Sequence, residues 1–244
     1  MARRTVSVND RTAPASGRTV GGPAIPDSAL TQDLVAWYRF EDGDARDYTA
    51  TLDAQFADST AYDGTVNGAT FQSNGGVTDF ENGTNSGAFD FDNDNIEVSL
   101  PTYSQLSVSV WVNWDDFNTS YLGPFDTYGS IDTHQFTFHD DGGDSGVLAC
   151  LTPDGTFQFG SVSPDEWTHL LATYDGSTVT TYLNGSQANS GSASFSADLS
   201  EVGIGARFGD TTTVVADGRI DDVRIYNRAL TSSEVTDIYN ATKP

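Results

Sequence analysis

Nine residues of strict alternation, Leu106-Ser-Val-Ser-Val-Trp-Val-Asn-Trp114, constrain this chain more than any other feature. A period of two places Leu106, Val108, Val110, Val112 and Trp114 on one face of a β-strand. Ser107, Ser109, Trp111 and Asn113 then share the opposite face. Such a strand must bury its apolar face against a second layer. Further β-rich runs recur from about Asp33 to Tyr239, among them Leu34–Phe40, Asn95–Leu100, Val147–Leu151, Trp167–Tyr174 and Gly218–Tyr226. Turn residues separate them: Asp175-Gly176, Asn184-Gly185 and Pro153-Asp154-Gly155. Many short strands with almost no helical period predict an all-β, two-sheet antiparallel jelly-roll sandwich. The exception is the C-terminus. Thr231-Ser-Ser-Glu234 has the form of a capping box, and Val235, Ile238 and Tyr239 follow at helical spacing. This predicts a short C-terminal helix packed on the edge of the sandwich.

The first 32 residues read differently. They carry Arg3, Arg4, Arg11 and Arg18, three prolines, the pair Gly21-Gly22 and no aromatic residue. A segment of this kind cannot bury itself. Residues 1–32 are therefore expected to form an extended basic N-terminal arm, and residues 33–244 a single sandwich domain. Met1-Ala2-Arg3-Arg4 is not followed by an apolar run, so no cleaved leader is expected. No stretch of about 18 apolar residues exists, and no membrane insertion is expected.

Charge separates the body from the arm. The chain holds 35 acidic residues against 11 basic ones, a net charge of -24, with six Glu and one Lys, Lys243. In molar salt the screening length falls to roughly 3 Å, so such a surface costs little and keeps the chain soluble. The composition is that of a halophilic protein. Phosphate binding needs a basic stripe, and none follows Arg18, which argues against nucleic acid as a partner. The single cysteine, Cys150, lies in an apolar run, excludes an intrachain disulfide and reads as a buried residue.

Four segments, in order, resemble the laminin-G-like jelly rolls of the concanavalin A-like lectin/glucanase superfamily. They are Leu34–Glu41, Asp58–Gly68, Glu166–Gly185 and Gly218–Glu234. The resemblance covers about Leu34 to Tyr239. It implies two packed antiparallel sheets of about a dozen strands in total. It also implies a structural calcium joining the first and last strands, with Glu41, Asp58 and Asp221 at the matching positions. Alternation through Ile220–Ile225 independently puts Asp221 on the side of Val223 and Ile225, where a carboxylate needs a partner. The insertion Gly43–Phe56 after Glu41 departs from the family pattern.

Three chemistries can be weighed from the residues. Glycosidases of the superfamily cluster acids on one strand face, with two carboxyls about 5–9.5 Å apart. Here Glu97, Glu166 and Glu201 each stand alone, so no catalytic function is expected. His134 and His139 flank a β-run at odd spacing and are expected on opposite faces, and His169 reads as a structural strand residue. Sugar recognition uses aromatic faces and Asp or Asn side chains on loops. The stretch from Trp114 to Tyr128 is rich in both, and Trp114, Tyr121, Phe125, Asp126 and Tyr128 are the candidate ligand-binding residues.

An adhesion-type fold, no leader and a basic arm fit a non-catalytic virion surface component of a halophilic virus, such as a capsid decoration, turret or tail-associated subunit. Its expected partners are other virion subunits through residues 1–30, further copies of itself, and a host-surface glycan or glycoprotein. The alternatives are a cellular secreted or surface lectin or adhesin, and a carbohydrate-active enzyme.

Overall fold

The computed structural model describes residues 30–40, 43, 45, 62–78, 87–117, 123–127, 134–140 and 146–244. The strands, in chain order, are β1 (Leu34–Tyr38), β2 (Thr65–Asn67), β3 (Thr70–Gln72), β4 (Ala88–Asp92), β5 (Asn95–Val98), β6 (Thr102–Tyr103), β7 (Leu106–Trp114), β8 (Phe125–Asp126), β9 (Thr137–Asp140) and β10 (Val147–Thr152). There follow β11 (Gly155–Ser161), β12 (Thr168–Tyr174), β13 (Thr178–Leu183), β14 (Ser186–Ser192), β15 (Ala197–Asp198), β16 (Val202–Ile204), β17 (Ala206–Arg207), β18 (Asp210–Val215) and β19 (Asp217–Tyr226), and then helix α1 (Ser232–Thr242). One eight-stranded sheet runs β14-β13-β12-β7-β19-β4-β3, with β1 also on β19. A seven-stranded sheet runs β11-β10-β9-β8-β16-β5-β2, and two short ribbons complete the set. The expected all-β sandwich with one C-terminal helix is what the chain forms.

The alternation in β7 does what its period requires. Leu106, Val108, Val110, Val112 and Trp114 all point into the layer between the sheets. Leu170 and Ala172 of β12 sit opposite Val110 and Val108 and extend that face. The seven-stranded sheet supplies Ile96, Val98, Phe125, Phe138, Leu148, Cys150 and Ile204 from the other side. Burial pushes the Cys150 thiol pKa well up, which keeps it protonated and inert. The hairpin signals also act as turns. Asn184 and Gly185 both have positive φ, at 49° and 74°, between paired Leu183 and Ser186, as a two-residue hairpin turn demands. At the β12–β13 hairpin the central pair is Gly176-Ser177, one residue later than Asp175-Gly176. Asp175 N–H bonds Thr178 O, and Asp175 Oδ1 accepts from the N–H groups of Ser177 and Thr178.

Two expectations about the outer face need correction. Helix α1 does not sit at the sandwich edge. Val235 and Ile238 pack with Leu34, Trp37, Leu171, Tyr182 and Tyr226, so the helix covers the outer face of the eight-stranded sheet. With the second sheet on its inner face and this cover on its outer one, β7 has all nine residues buried. The second correction concerns Asp221. The β7–β19 register shifts between Asp221 and Arg224, with Asp222 at φ 47°. The extra residue of this bulge flips the alternation. Asp221 therefore pairs with Trp111 on the outer face, not with Val223 and Ile225 in the core.

The capping box is formed. Thr231 Oγ1 accepts from Glu234 N at 3.3 Å, and a Glu234 carboxylate oxygen accepts from Thr231 N at 2.7 Å. Arg228 donates to both Glu234 oxygens, at 2.9 and 2.7 Å. Bonding to Arg228 leads the causes that pull the Glu234 pKa down, to about 2. A depressed carboxylate stabilises the fold above its unfolded value, and that contribution disappears as pH falls through its folded value. Glu234→Gln is thus expected to cost about 1 kcal/mol at neutral pH. The Tm gap between the two proteins should close as pH falls from about 4.5 to 2. A gap that stays constant across that range would remove the ion pair from the account.

Candidate ligand-binding cleft

The structure disperses the residues that the sequence nominates. Trp114 and Phe125 are fully buried between the sheets, with the Phe125 ring 5.8 Å from that of Phe138. Neither ring has a free face for a sugar, which corrects their assignment to a stacking platform. Asp126 is also fully buried, with Oδ1 3.9 Å from Arg207 Nε. Tyr121 and Tyr128 lie outside the described residues. So do Glu41 and Asp58 of the expected calcium set. The third member, Asp221, accepts from Val77 N at 2.9 Å and Asp222 N at 2.7 Å. Among the described residues, no three His, Cys, Asp or Glu side chains are placed to hold a metal ion.

The histidines are placed by packing. His134 and His139 are not on opposite sides. Their ring centroids are 5.9 Å apart, because His134 precedes the start of β9 and escapes its alternation. Burial first, and then His139 and Arg207, lower the His134 pKa to about 4. His169 Nε2 lies 2.8 Å from Ser109 Oγ, a pairing that resembles a nucleophile and its base. Both residues are fully buried. The Trp111 ring lies 5.0 Å from the His169 ring, and Tyr239 of α1 covers it at 6.0 Å. Burial drives the His169 pKa down to about 3, so the imidazole stays neutral. Under that cover the pair has no route to a substrate; Ser109 satisfies Nε2, while Nδ1 has no hydrogen-bond partner among the described residues.

What the fold does present is an open cleft of about 480 Å³ on the outer face of the eight-stranded sheet. It lies beside the region that α1 covers. Asp90 and Arg219 line it, and they belong to a row of outward side chains, one from each neighbouring strand. Asn113 of β7 is the register partner of Arg219 of β19, Arg219 of Asp90 of β4, and Asp90 of Thr70 of β3. Trp167 extends the row, because it precedes Thr168, whose partner is Val112. At about 4.8 Å per strand the row is roughly 19 Å long. The turn Ser73-Asn74-Gly75 after β3 and Asp115 after β7 wall it.

Arg219 is the centre of the cleft. Its guanidinium lies over the Trp167 ring at 5.7 Å and donates from Nη1 to Gly75 O at 3.3 Å. Asn113 is 3% exposed, and its Oδ1 has no hydrogen-bond donor among the described residues. Burial first, then the charge of Asp115, raises the Asp90 carboxyl pKa; Arg219 pulls the other way. Asp217 is likewise raised by burial and by Asp116, Asp115, Asp92 and Asp90. The arrangement offers a fixed guanidinium, amides and carboxylates in one open groove, with the half-buried Trp167 indole beneath the guanidinium. It suits a polar ligand lying across the strands.

Sequence reasoning missed this row. Asn113 was placed correctly on the outer face, and alternation around Ile220 would have put Arg219 outward. Which strands lie side by side is not written in any one strand.

The class defined by fold and cleft is a lectin-like antiparallel sandwich with a solvent-open polar groove. The chain belongs to the concanavalin A-like lectin/glucanases superfamily, whose family model matches residues 82–236. No curated protein matches the sequence. Among solved structures, one similar fold is domain 4 of AbnA, a GH43 extracellular arabinanase from Geobacillus stearothermophilus, in complex with arabinotriose. It has a TM-score of 0.63 and 22% identity over 85% of this chain and 98% of that one. The botulinum neurotoxin type G receptor binding domain has a TM-score of 0.59 at 17% identity, over 86% of this chain and 51% of that one. A Trypanosoma rangeli sialidase has 0.63 at 16%, over 89% of this chain and 35% of that one. At such identities the likeness is one of fold.

Proposed function

We propose that this protein is a non-catalytic recognition module that binds a glycan, free or on a glycoprotein, along the outer cleft. The observation that carries this is the open cleft around Arg219, whose guanidinium lies over Trp167 and beside which Asp90, Asp115, Gln72 and Asn74 line the groove. A guanidinium beside an aromatic ring, with amides and carboxylates along a groove, is what a polyhydroxylated ligand requires. The family supports it, and so does a similarly folded domain solved with an oligosaccharide bound. Trp and Arg at the centre of a binding patch carry most of its energy. Trp167→Ala should therefore raise Kd for any glycan found on an array by about tenfold or more. Full binding by this variant would place the site elsewhere.

One observation favours a second reading. Asp90, with its raised pKa, stands beside Asp115 in the cleft, the pairing a glycoside hydrolase uses. New reducing ends from a host polysaccharide, abolished by Asp90→Asn, would establish that reading. The openness of the cleft argues against it, because hydrolytic sites exclude water around the reacting bond.

The proposed setting is the virion surface of a halophilic virus. Its support is the contrast between four arginines in residues 1–30 and an overall charge of -24. The arm would dock on acidic virion subunits while the sandwich faces the host. Deleting residues 1–30 should leave a folded sandwich that no longer joins particles. Normal incorporation of the truncated chain would remove the arm from this role.

A further inference from the structure

We propose that β14, the outermost strand of the eight-stranded sheet, pairs antiparallel with β14 of a second copy of this chain and joins the two sheets into one. The inference is independent of what the cleft binds.

This edge is unlike the others. β14 ends its sheet, and no described strand pairs with its outer side. Natural sheets protect such an edge with short strands, charges or prolines. The opposite flank follows that rule, because β2 and β3 span three residues each. β14 spans seven, Ser-Gln-Ala-Asn-Ser-Gly-Ser, with neither a charge nor a proline. It lies in the longest uncharged stretch of the chain, between Asp175 and Asp198, although 19% of all residues are charged. β11, which ends the seven-stranded sheet, is also uncharged. It runs beside β14 and β13. Its Phe157 ring lies against Gly191, and Thr181 Oγ1 donates to Gln158 O at 2.7 Å. Both strands that form this flank of the sandwich are therefore neutral.

The ladder shows which backbone groups are offered. Ala193 N–H bonds Ser177 O, the pair next to Thr178 and Ser192 in the register. Antiparallel pairs alternate between bonded and non-bonded, so Gly191 turns its N–H and C=O toward β13 while Ser190 and Ser192 turn theirs outward. Asn189 Oδ1 accepts from Ser190 N at 2.7 Å, an exposed bond that marks where a partner carbonyl fits. Ala188 is the extra residue of a bulge and leaves residues 189–192 as the regular part of the edge. A two-fold axis at Gly191, normal to the sheet, sets Ser190 opposite the partner's Ser192, and each such pair exchanges both backbone bonds. The axis also leaves both outer clefts on one side of the joined sheet.

Charge selects the occupant. Two copies with a net charge of -24 each repel one another over most of their surface. At this flank they meet without bringing like charges together. A basic partner is drawn to the acidic faces instead.

The test is sedimentation velocity of the full chain across a dilution series, at low and at molar salt. The parent is expected to reach twice the mass of one chain. Its dimer should tighten as salt rises, because screening relieves the repulsion between copies. Ser190→Pro removes an outward N–H that β13 does not use, and should weaken the dimer about tenfold or more. Ser190→Asp/Ser192→Asp sets carboxylates opposite each other across the axis and should weaken it as much. This second variant decides the matter if the proline variant loses its near-ultraviolet circular dichroism. Thr65→Asp/Val66→Asp adds the same charge to the exposed β2 edge and should leave the dimer intact. A parent that stays monomeric at every concentration and salt overturns the proposal. So does a dimer that survives the β14 variants, one that the β2 variant weakens equally, or one that loosens as salt rises.

Discussion

Asp222→Asn is expected to lower the unfolding free energy by about 3–5 kcal/mol, the cost of breaking a buried ion pair from one side. Arg224 is 1% exposed, and its Nε donates to Asp222 Oδ1 at 3.0 Å. The same oxygen accepts from Trp37 Nε1 at 2.5 Å, and the guanidinium lies over the Trp37 ring at 4.4 Å. These three side chains tie β1 to β19 beneath α1. Asparagine tolerates the positive φ at this position and keeps an oxygen for Trp37, so the substitution isolates the charge. Near 2–4 °C per kcal/mol for a chain of this size, the Tm should fall by roughly 10 °C. Adding Arg224→Met should restore most of the loss, because an apolar replacement removes the unpaired charge. A single-variant cost below about 1 kcal/mol would show that the pair is hydrated and that the bulge is held by other contacts.

The second large effect separates two roles for one tryptophan. Trp114→Ala is expected to cost about 3–5 kcal/mol, because its ring fills the layer between the sheets and leaves a cavity when removed. A solvent-facing sugar platform would give a cost within about 0.5 kcal/mol. Trp114→Phe should cost far less than Trp114→Ala. The indole N–H has no acceptor among the described residues, so phenylalanine loses volume but also discards a buried orphan donor. Thermal melts of the two variants beside the parent chain decide the point. A negligible cost for Trp114→Ala would return the residue to the surface.

The two Trp residues show what the sequence conveys and where it stops. Alternation placed Trp111 and Trp114 on opposite faces of β7, and the structure agrees. It did not say which face the ligand sees. Trp114 drew attention because the text after it is rich in Asp, Asn and aromatics, but composition is blind to orientation. Trp167 stands outside that text, and it meets Arg219 of the outer cleft only because β12, β7 and β19 are adjacent. Strand order depends on long-range pairing, as with β7 and β19, about a hundred residues apart. The sandwich itself was legible because burying one face of each strand is a local demand repeated many times. Asp221 shows the limit of that rule. One residue inserted at the bulge reverses the faces, and nothing in Ile220-Asp-Asp-Val223 announces the shift. The capping box at Thr231 was legible to the atom because all its partners lie within one helical turn. Where that helix docks was not, since Leu34, Leu171 and Tyr182 come from distant strands.

The central claim is that the outer face of the eight-stranded sheet, beside α1, holds a glycan without transforming it. Crystals grown with a saturating oligosaccharide, chosen as the strongest binder on an array, test this in one measurement. The account predicts an intact ligand lying in the cleft across β19 and β4, against Arg219, Asp90 and the Ser73–Gly75 turn. A ligand seated instead on the loops at either end of the sandwich, or found cut between Asp90 and Asp115, would contradict it.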